Sequence, residues 1–135
     1  KDSELLKDEF TLPTFSLGYV KDESKLIKLY SAVDIFVLPS LEENLPNSIM
    51  EAMSCGTPCV GFNIGGIPEL IDHLHNGYVA NYKSSTDLAE GMKWAIQNNQ
   101  NQGLSKESRR KVIECFSENT VAKKYIELYN QITEH

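Results

Sequence analysis

The chain has 135 residues, 41% of them hydrophobic and 24% charged, and its formal net charge at pH 7 is −6. These totals favour one soluble domain with a real hydrophobic core and leave little room for a second domain. The net negative charge argues against a surface of clustered Lys and Arg that could bind nucleic acid or an anionic membrane. No apolar run approaches the roughly 20 residues of a membrane span.

Cysteine and histidine usage indicates reduced thiols and no metal site. Cys55, Cys59 and Cys115 are an odd number without zinc-ligand spacing, which favours buried, reduced thiols over redox or metal roles. His73 and His75 precede an Asn-Gly turn and have no further ligand at matching spacing, so they are interpreted as turn surface. Because the N-terminus also lacks a signal-peptide profile, the sequence predicts a cytoplasmic protein.

Strands and helices alternate along the first two thirds of the chain. Residues 1–13 are charged and aperiodic, which predicts a tail or the remnant of a truncated region, and residues 14–135 are predicted to form one partial domain. The expected elements are a strand at 14–19, a helix capped by Asp22 or Ser24, a strand at 35–38, a helix with Pro46 at its first position and Gly56 past its end, a strand at 58–62, helical turns at 68–71, and a strand at 78–80.

After residue 84 the pattern is helical only. Ser84 begins a capping-box pattern, Ser105 is the expected cap of the next helix, and apolar residues from Val121 to Ile132 form a last amphipathic stripe. Alternating strands and helices predict an α/β fold, a Rossmann-like parallel sheet flanked by helices. Four strands with helices to spare indicate a sheet that is incomplete at its N-terminal edge, followed by an all-helical C-terminal segment.

Two carboxylates, Glu43 and Glu51, stand either side of seven residues where the second predicted strand leads into its helix. In an open parallel sheet such a loop lies at the carboxyl end of a strand, where ligands bind, and the helix presents unsatisfied N–H groups there. The pattern predicts a site for an anionic, hydroxyl-bearing ligand, with solvated carboxylates as the alternative. Gly65-Gly66 can also cradle phosphate, but a tight turn before Pro68 is the favoured interpretation.

Several motifs in a fixed order give the chain a family resemblance. They are the run 15–20, the strand 34–40, Glu43-x7-Glu51-Ala52-Met53-x-Cys55-Gly56-x-Pro58, Gly65-Gly66-x-Pro68-Glu69, and Asn76-Gly77. Together they resemble the retaining glycosyltransferases of GT-B architecture, in the glycogen-synthase-like group that includes capsule and lipopolysaccharide glycosyltransferases. The resemblance covers about residues 14–98. It implies part of the C-terminal, nucleotide-sugar-binding domain, with a separate N-terminal domain missing from the chain.

The resemblance also assigns roles to individual residues. Glu43, the residue expected in the catalytic centre, would contact sugar hydroxyls, and Glu51 would hold the hydroxyls of the ribose. The other implied contacts with substrate are Asn44 and Leu45 to the sugar, the backbone N–H groups of Asn47 and Ser48 to the phosphates, and Val20 and Asp22 in the loop that resembles the nucleobase pocket.

Two departures from the family pattern bear on these roles. The common loop reads Glu-Gly-Phe-Gly, whereas this one reads Glu43-Asn44-Leu45-Pro46, so Pro46 has no N–H to offer the sugar. One sugar contact is then lost or is replaced by the Asn44 side chain. The family's Arg and Lys pair, which neutralises the donor diphosphate, falls before the first strand of this chain, so we expect those cations outside it.

The implied function is transfer of a sugar from a nucleotide diphosphate sugar to a hydroxyl acceptor, a glycan or glycolipid, with retention at the anomeric carbon and no obligatory metal or other cofactor. The chain would be the donor-binding part of this enzyme in polysaccharide or glycolipid biosynthesis, inactive in isolation. It would lie in the cytoplasm or, through missing regions, at the inner face of the membrane. Two alternatives stay open: a non-catalytic nucleotide-binding or interaction module on the same fold, and a nucleotide-sugar epimerase of related architecture.

Overall fold

The computed structural model describes residues 11–133, so most of the tail predicted at 1–13 lies outside the described residues. Helices and strands alternate as far as β3 and are followed by three helices. In chain order the elements are α1 (Glu23–Ala32), β1 (Phe36–Leu38), α2 (Asn47–Ser54), β2 (Cys59–Phe62), α3 (Ile67–Leu70), β3 (Gly77–Ala80), α4 (Ser85–Asn98), α5 (Gly103–Phe116) and α6 (Glu118–Thr133).

The three strands form one parallel sheet in the order β1-β2-β3. Phe36 of β1 lies opposite Cys59 of β2, and Val60 of β2 lies opposite Tyr78 of β3. β2 is the central strand, and all four of its residues are buried. Because the strands are parallel, their carboxyl ends lie at one edge of the sheet.

The central strand divides the core between two helix layers. Cys59 contributes to a cluster on the face covered by α2 and α3, whose other buried members are Ile49, Ala52, Met53, Ile67, Leu70 and Ile71. Val60, the next residue, projects from the opposite face and packs with Ala95 of α4 and Leu104 of α5. Helices therefore cover both faces of the sheet, and the predicted α/β class with a flanked parallel sheet is confirmed.

The strand predicted at 14–19 is wrong. Residues 13–20 form no regular element, Phe15 and Tyr19 are 85% and 86% exposed, and Gly18 has a φ of +61°. Alternating apolar residues can form a strand only where a neighbouring strand supplies hydrogen bonds, and none of the described strands pairs with this segment. The described sheet accordingly has three strands and not four.

Two of the predicted helix caps are confirmed and two helix starts differ. Asp22 Oδ1 accepts the N–H groups of Ser24 and Lys25, and the Ser84 hydroxyl accepts the N–H of Asp87. Pro46 precedes α2 as its N-cap, one position before the predicted one. α5 begins at Gly103, two residues before the predicted cap Ser105, whose N–H instead donates to the Asn99 side chain at 3.1 Å.

All three cysteines are free thiols, but only Cys59 is buried as the sequence predicted. Cys59 is fully buried, and this burial raises the pKa of its thiol well above the usual range. Cys55 and Cys115 are partly buried. His73 and His75 are exposed; His73 Nδ1 accepts the N–H of Val79, and His75 Nε2 lies 3.0 Å from a carboxylate oxygen of Glu107.

Candidate functional site

Three segments meet at the carboxyl edge of the sheet. Residues 39–46 follow β1, residues 63–66 follow β2, and residues 81–84 follow β3. We call residues 39–46 the first loop, residues 63–66 the glycine turn and residues 81–84 the third loop. Open parallel sheets bind ligands at this edge, so the segment that carries Glu43 lies where a site is expected.

The three segments are tied to one another by hydrogen bonds. The N–H of Gly66 donates to the carbonyl of Asn44, joining the glycine turn to the first loop. The Tyr82 hydroxyl donates to the carbonyl of Leu41 at 3.0 Å, joining the third loop to the first. The Tyr82 ring stands edge-on to the ring of Phe62 in β2, with the ring centres 6.5 Å apart. Lys83 Nζ lies 5.1 Å from the centre of the Tyr82 ring.

Both glycines of the turn are required by the close approach of the first loop. A Cβ on Gly65 would overlap the carbonyl oxygen of Glu43 and lie 2.7 Å from its carbonyl carbon. A Cβ on Gly66 would lie 2.7 Å from the Leu45 side chain. Gly65 also has a φ of +53°, which a residue with a side chain adopts only at a cost. The turn interpretation of Gly65-Gly66 is supported, with the added function of fixing the Glu43 segment.

An open hollow of about 540 Å³ lies between the first loop and the glycine turn. Asn44, Leu45, Gly65, Gly66 and Glu69 line it. The hollow thus brings two residues predicted to contact the sugar, Asn44 and Leu45, together with the glycine turn. Glu69, in the first turn of α3, is a lining residue that the sequence did not single out.

The N-terminus of α2 has no side-chain cap. Pro46 occupies the N-cap position with a φ of −73°, and its carbonyl accepts the N–H groups of Ile49 and Met50. The N–H groups of Asn47 and Ser48 have no acceptor among the described residues. Two backbone donors, at the positive end of the helix dipole, are therefore available to an anion at this edge.

The structure places the two predicted carboxylates on either side of this helix start. Glu43 is half-buried in the first loop, whereas Glu51 is exposed on the second turn of α2. The hydroxyl of Tyr30, in α1, donates to Glu51 Oε2 at 3.3 Å. Tyr30 is a contact that the sequence gave no reason to single out, because 21 residues separate it from Glu51.

The predicted nucleobase loop borders a second hollow. About 780 Å³ of open space is lined by Leu17, Tyr19, Val20, Asp22 and neighbouring residues of α1. Asp22 uses Oδ1 to cap α1, and its pKa is lowered by the hydrogen bond from the Ser24 hydroxyl and those from the N–H groups of Lys25 and Ser24. Any contact of Asp22 with a ligand must therefore be compatible with this capping role.

A further cleft, of about 640 Å³, lies at the opposite edge of the sheet. Asp34 and Thr57, which precede β1 and β2, line it together with Lys106 and Arg109 of α5. Arg109 already donates to the carbonyl of Ser54. The amino ends of parallel strands are not the ligand-binding edge in this architecture, so we do not assign the site to this cleft.

Residues 11–133 contain no helix long and apolar enough to cross a membrane. In the same range no three His, Cys, Asp or Glu side chains are grouped so that they can hold a metal ion. The chemistry available at the carboxyl edge includes the backbone N–H donors of Asn47 and Ser48, the carboxylates of Glu43, Glu51 and Glu69, and the side-chain amide of Asn44.

The fold is that of the C-terminal domain of GT-B proteins. The chain superposes on sucrose-phosphate synthase from Thermosynechococcus elongatus with a TM-score of 0.82 at 24% identity, covering 98% of this chain and 34% of that one. It also superposes on Anabaena HepE, solved in complex with UDP-glucose, with a TM-score of 0.68 at 26% identity, covering 78% of this chain and 30% of that one.

The sequence matches the model of the family described as glycosyl transferases group 1 over residues 6–115, and the chain belongs to this family. A curated relative from Campylobacter jejuni is N,N'-diacetylbacillosaminyl-diphospho-undecaprenol alpha-1,3-N-acetylgalactosaminyltransferase. It is 30% identical over 118 residues, which are 87% of this chain and 31% of the relative. The chain spans about a third of the length of the curated relatives that it matches.

Proposed function

We propose that the chain is the donor-binding part of a retaining glycosyltransferase that transfers a sugar from a nucleotide diphosphate sugar to a hydroxyl acceptor. The acceptor class we propose is a glycan or glycolipid in polysaccharide or glycolipid biosynthesis. Family membership and the UDP-glucose complex of the similar Anabaena protein support this assignment. The observation that carries it is the order of groups along the carboxyl edge: Glu43, two free N–H groups, then Glu51.

The spacing along α2 suits a nucleoside diphosphate. Glu51 is four residues beyond Asn47, and four residues rise about 6 Å along a helix axis. A phosphate at the N–H groups of Asn47 and Ser48 would leave the ribose about one helical turn away, beside Glu51. Carboxylates accept hydrogen bonds from vicinal hydroxyls, so Glu51 is assigned to the ribose.

The sugar is assigned to the hollow beside the glycine turn. Asn44 and Leu45 line this hollow, and Glu43 is the adjacent half-buried carboxylate of the same loop. Pro46 cannot donate a backbone N–H to the sugar, and the Asn44 side chain is a donor in position to replace it. The nucleobase is assigned to the open space beside Val20 and Asp22.

In the proposed reaction the bond between the anomeric carbon and the diphosphate oxygen breaks, an acceptor hydroxyl bonds to that carbon with retention, and the hydroxyl proton passes to the departing diphosphate. Charge accumulates on the departing diphosphate, so fixed donors at the α2 N-terminus stabilise the transition state more than the ground state. Glu43 orients the sugar through its hydroxyls, and Glu51 orients the nucleotide. Further cations for the diphosphate are assigned to regions outside this chain, and we propose that no metal is obligatory.

The proposed location is the cytoplasm, including the inner face of the membrane. Free thiols at Cys55, Cys59 and Cys115 support a reducing compartment, since disulfides persist mainly in oxidising ones. Fractionation of cells that express the complete protein, before and after a high-salt wash, separates a freely soluble protein from one held at the membrane surface.

The assignment of Glu51 is tested in the complete protein by steady-state kinetics with the donor. Glu51→Ala should raise donor KM roughly 10- to 100-fold, because a hydrogen bond to a charged group contributes about 1.5–3 kcal/mol. Glu90→Ala, which removes another exposed carboxylate, from α4, is the matched control and should leave KM unchanged. Equal KM values for wild type and Glu51→Ala would refute the ribose assignment, and an inverted anomeric configuration in the product would refute retention.

A further inference from the structure

Glu51 accepts one side-chain hydrogen bond within the part of the chain that the structure describes. The donor is the hydroxyl of Tyr30, 3.3 Å from Oε2, and it reaches across from α1 to α2. This is a long hydrogen bond, and its effect is expected to be on orientation more than on fold stability. The other carboxylate oxygen, Oε1, has no protein partner among these residues.

Tyr30 is itself held firmly. Its ring stands edge-on to Phe36 of β1, with centroids 5.5 Å apart and planes at 83°. Its backbone carbonyl accepts the hydroxyl of the buried Thr57 at 2.5 Å. The ring and the backbone of Tyr30 are therefore anchored to the sheet independently of the hydroxyl, which makes the hydroxyl a fixed donor point.

The hydroxyl stays protonated over the working range of pH. Burial of the ring, followed by the negative charge of Glu51, raises the pKa of Tyr30 above its ordinary value. The Tyr30 hydroxyl is consequently a neutral hydrogen-bond donor near neutral pH.

Glu51 is one of the residues that line a small hollow between α1 and α2. The hollow has a volume of about 190 Å³, and Leu26, Ile27, Tyr30 and Ser54 also line it. A carboxylate that accepts from two vicinal hydroxyls must keep its plane at a defined angle to them, and a free Glu side chain rotates about three bonds. A fixed donor on one oxygen reduces that freedom before a ligand binds.

We propose that Tyr30 is a positioning residue that holds the Glu51 carboxylate in the orientation needed to accept the vicinal ribose hydroxyls of a nucleotide diphosphate sugar. The inference rests on the proposed function, since it presupposes that Glu51 binds the ribose. Tyr30 acts only through Glu51 and touches no reacting atom.

The test uses Tyr30→Phe in the complete protein. This substitution removes the hydroxyl but keeps the ring contact with Phe36 and the backbone bond from Thr57. We expect donor KM to rise about 3- to 10-fold with kcat within 2-fold, which is the effect of losing one modest hydrogen bond. Tyr125→Phe, at an exposed tyrosine of α6, is the matched control and should leave both constants unchanged.

Two further measurements separate positioning from a general structural effect. In the Glu51→Ala background, Tyr30→Phe should have no additional effect on donor KM. With a 2′-deoxyribose donor the rise in KM should shrink to less than 2-fold, because one of the hydroxyls that Glu51 accepts is missing. Thermal unfolding of Tyr30→Phe should match that of Tyr125→Phe.

The outcomes also separate this inference from the proposed function. If Glu51→Ala raises donor KM but Tyr30→Phe does not, the Tyr30 inference is overturned and the ribose assignment stands. If Tyr30→Phe raises KM equally with the two donors or in the Glu51→Ala background, Tyr30 has a structural role and the inference is again overturned. If Glu51→Ala leaves donor KM unchanged, the ribose assignment fails and the Tyr30 inference fails with it.

Discussion

Gly65→Ala is expected to disturb both the stability of the domain and the first loop. Two costs combine at this position. An alanine at the φ of +53° costs about 1–2 kcal/mol, and its Cβ would overlap the carbonyl oxygen of Glu43, which adds about 1–3 kcal/mol for forced displacement of packed atoms. The expected loss is thus about 2–5 kcal/mol of a total stability of about 5–15 kcal/mol.

Gly56→Ala separates the two costs. Gly56 has a φ of +78°, but an added Cβ would lie 3.6 Å from its nearest neighbour, the carbonyl oxygen of Ser105, which is ordinary contact. This control should lose only about 1–2 kcal/mol. Gly65→Ala should therefore be less stable than Gly56→Ala by about 1–3 kcal/mol, the contribution of the overlap.

Urea unfolding followed by the fluorescence of the single tryptophan, Trp94, measures this difference. Trp94 is partly buried and packs against the core, and the centre of its ring lies 6.0 Å from that of Tyr78, so its emission should report unfolding. Donor KM of the complete protein is the second measurement and should rise for Gly65→Ala only. Equal unfolding free energies for the two variants, together with an unchanged donor KM, would refute the claim that the glycine turn fixes the Glu43 segment.

Three further outcomes are expected. Tyr82→Phe removes the hydroxyl that donates to the carbonyl of Leu41, so amide hydrogens of residues 39–46 should exchange faster, while those of β2 should not change. The hydrogen bonds from the Asn81 N–H and the Tyr78 hydroxyl lower the pKa of Asp87 in the folded state. Asp87 therefore stabilises the fold above its unfolded pKa, and this contribution is lost as the pH falls below about 4. In Asp87→Asn the free energy of unfolding should fall less steeply as the pH is lowered through this range. Calorimetry of the 135-residue chain with free nucleoside diphosphate should show weak binding, with a dissociation constant near the millimolar range, which is a binding free energy of about −4 kcal/mol. Micromolar binding would contradict the assignment of the phosphate-binding cations to other regions.

Local interactions made most of the elements predictable from the sequence. Asp22 and Ser84 cap helices through bonds that span two or three residues, so their positions in the sequence suffice. Pairing between strands is not local, and this is why the alternation at 14–19 predicted a strand that the structure does not contain. α5 begins before Ser105 because the side chain of Asn99 engages that serine.

In the candidate site, too, local features could be predicted from the sequence and contacts between distant residues could not. The sequence placed Glu43 on a loop and Glu51 within the opening turns of a helix, and the structure has them there. Their roles remain a prediction. The tyrosines that contact this site could not be predicted, because Tyr82 bonds a residue 41 positions away and Tyr30 one 21 positions away.

The eight residues of α2 pack against the core and also form the proposed phosphate-binding helix start. Ile49, Ala52 and Met53 form the fully buried side of the helix, while Asn47 and Ser48 lie at its uncapped start and Glu51 is exposed on its second turn. A ligand phosphate would take the place of the missing cap, so ligand binding and folding of the domain would be thermodynamically linked. A donor at 100 times its dissociation constant would raise the unfolding free energy by about 2.7 kcal/mol. Substitutions that loosen the packing of the buried side of α2 should therefore weaken donor affinity, although the substituted residues do not contact the ligand.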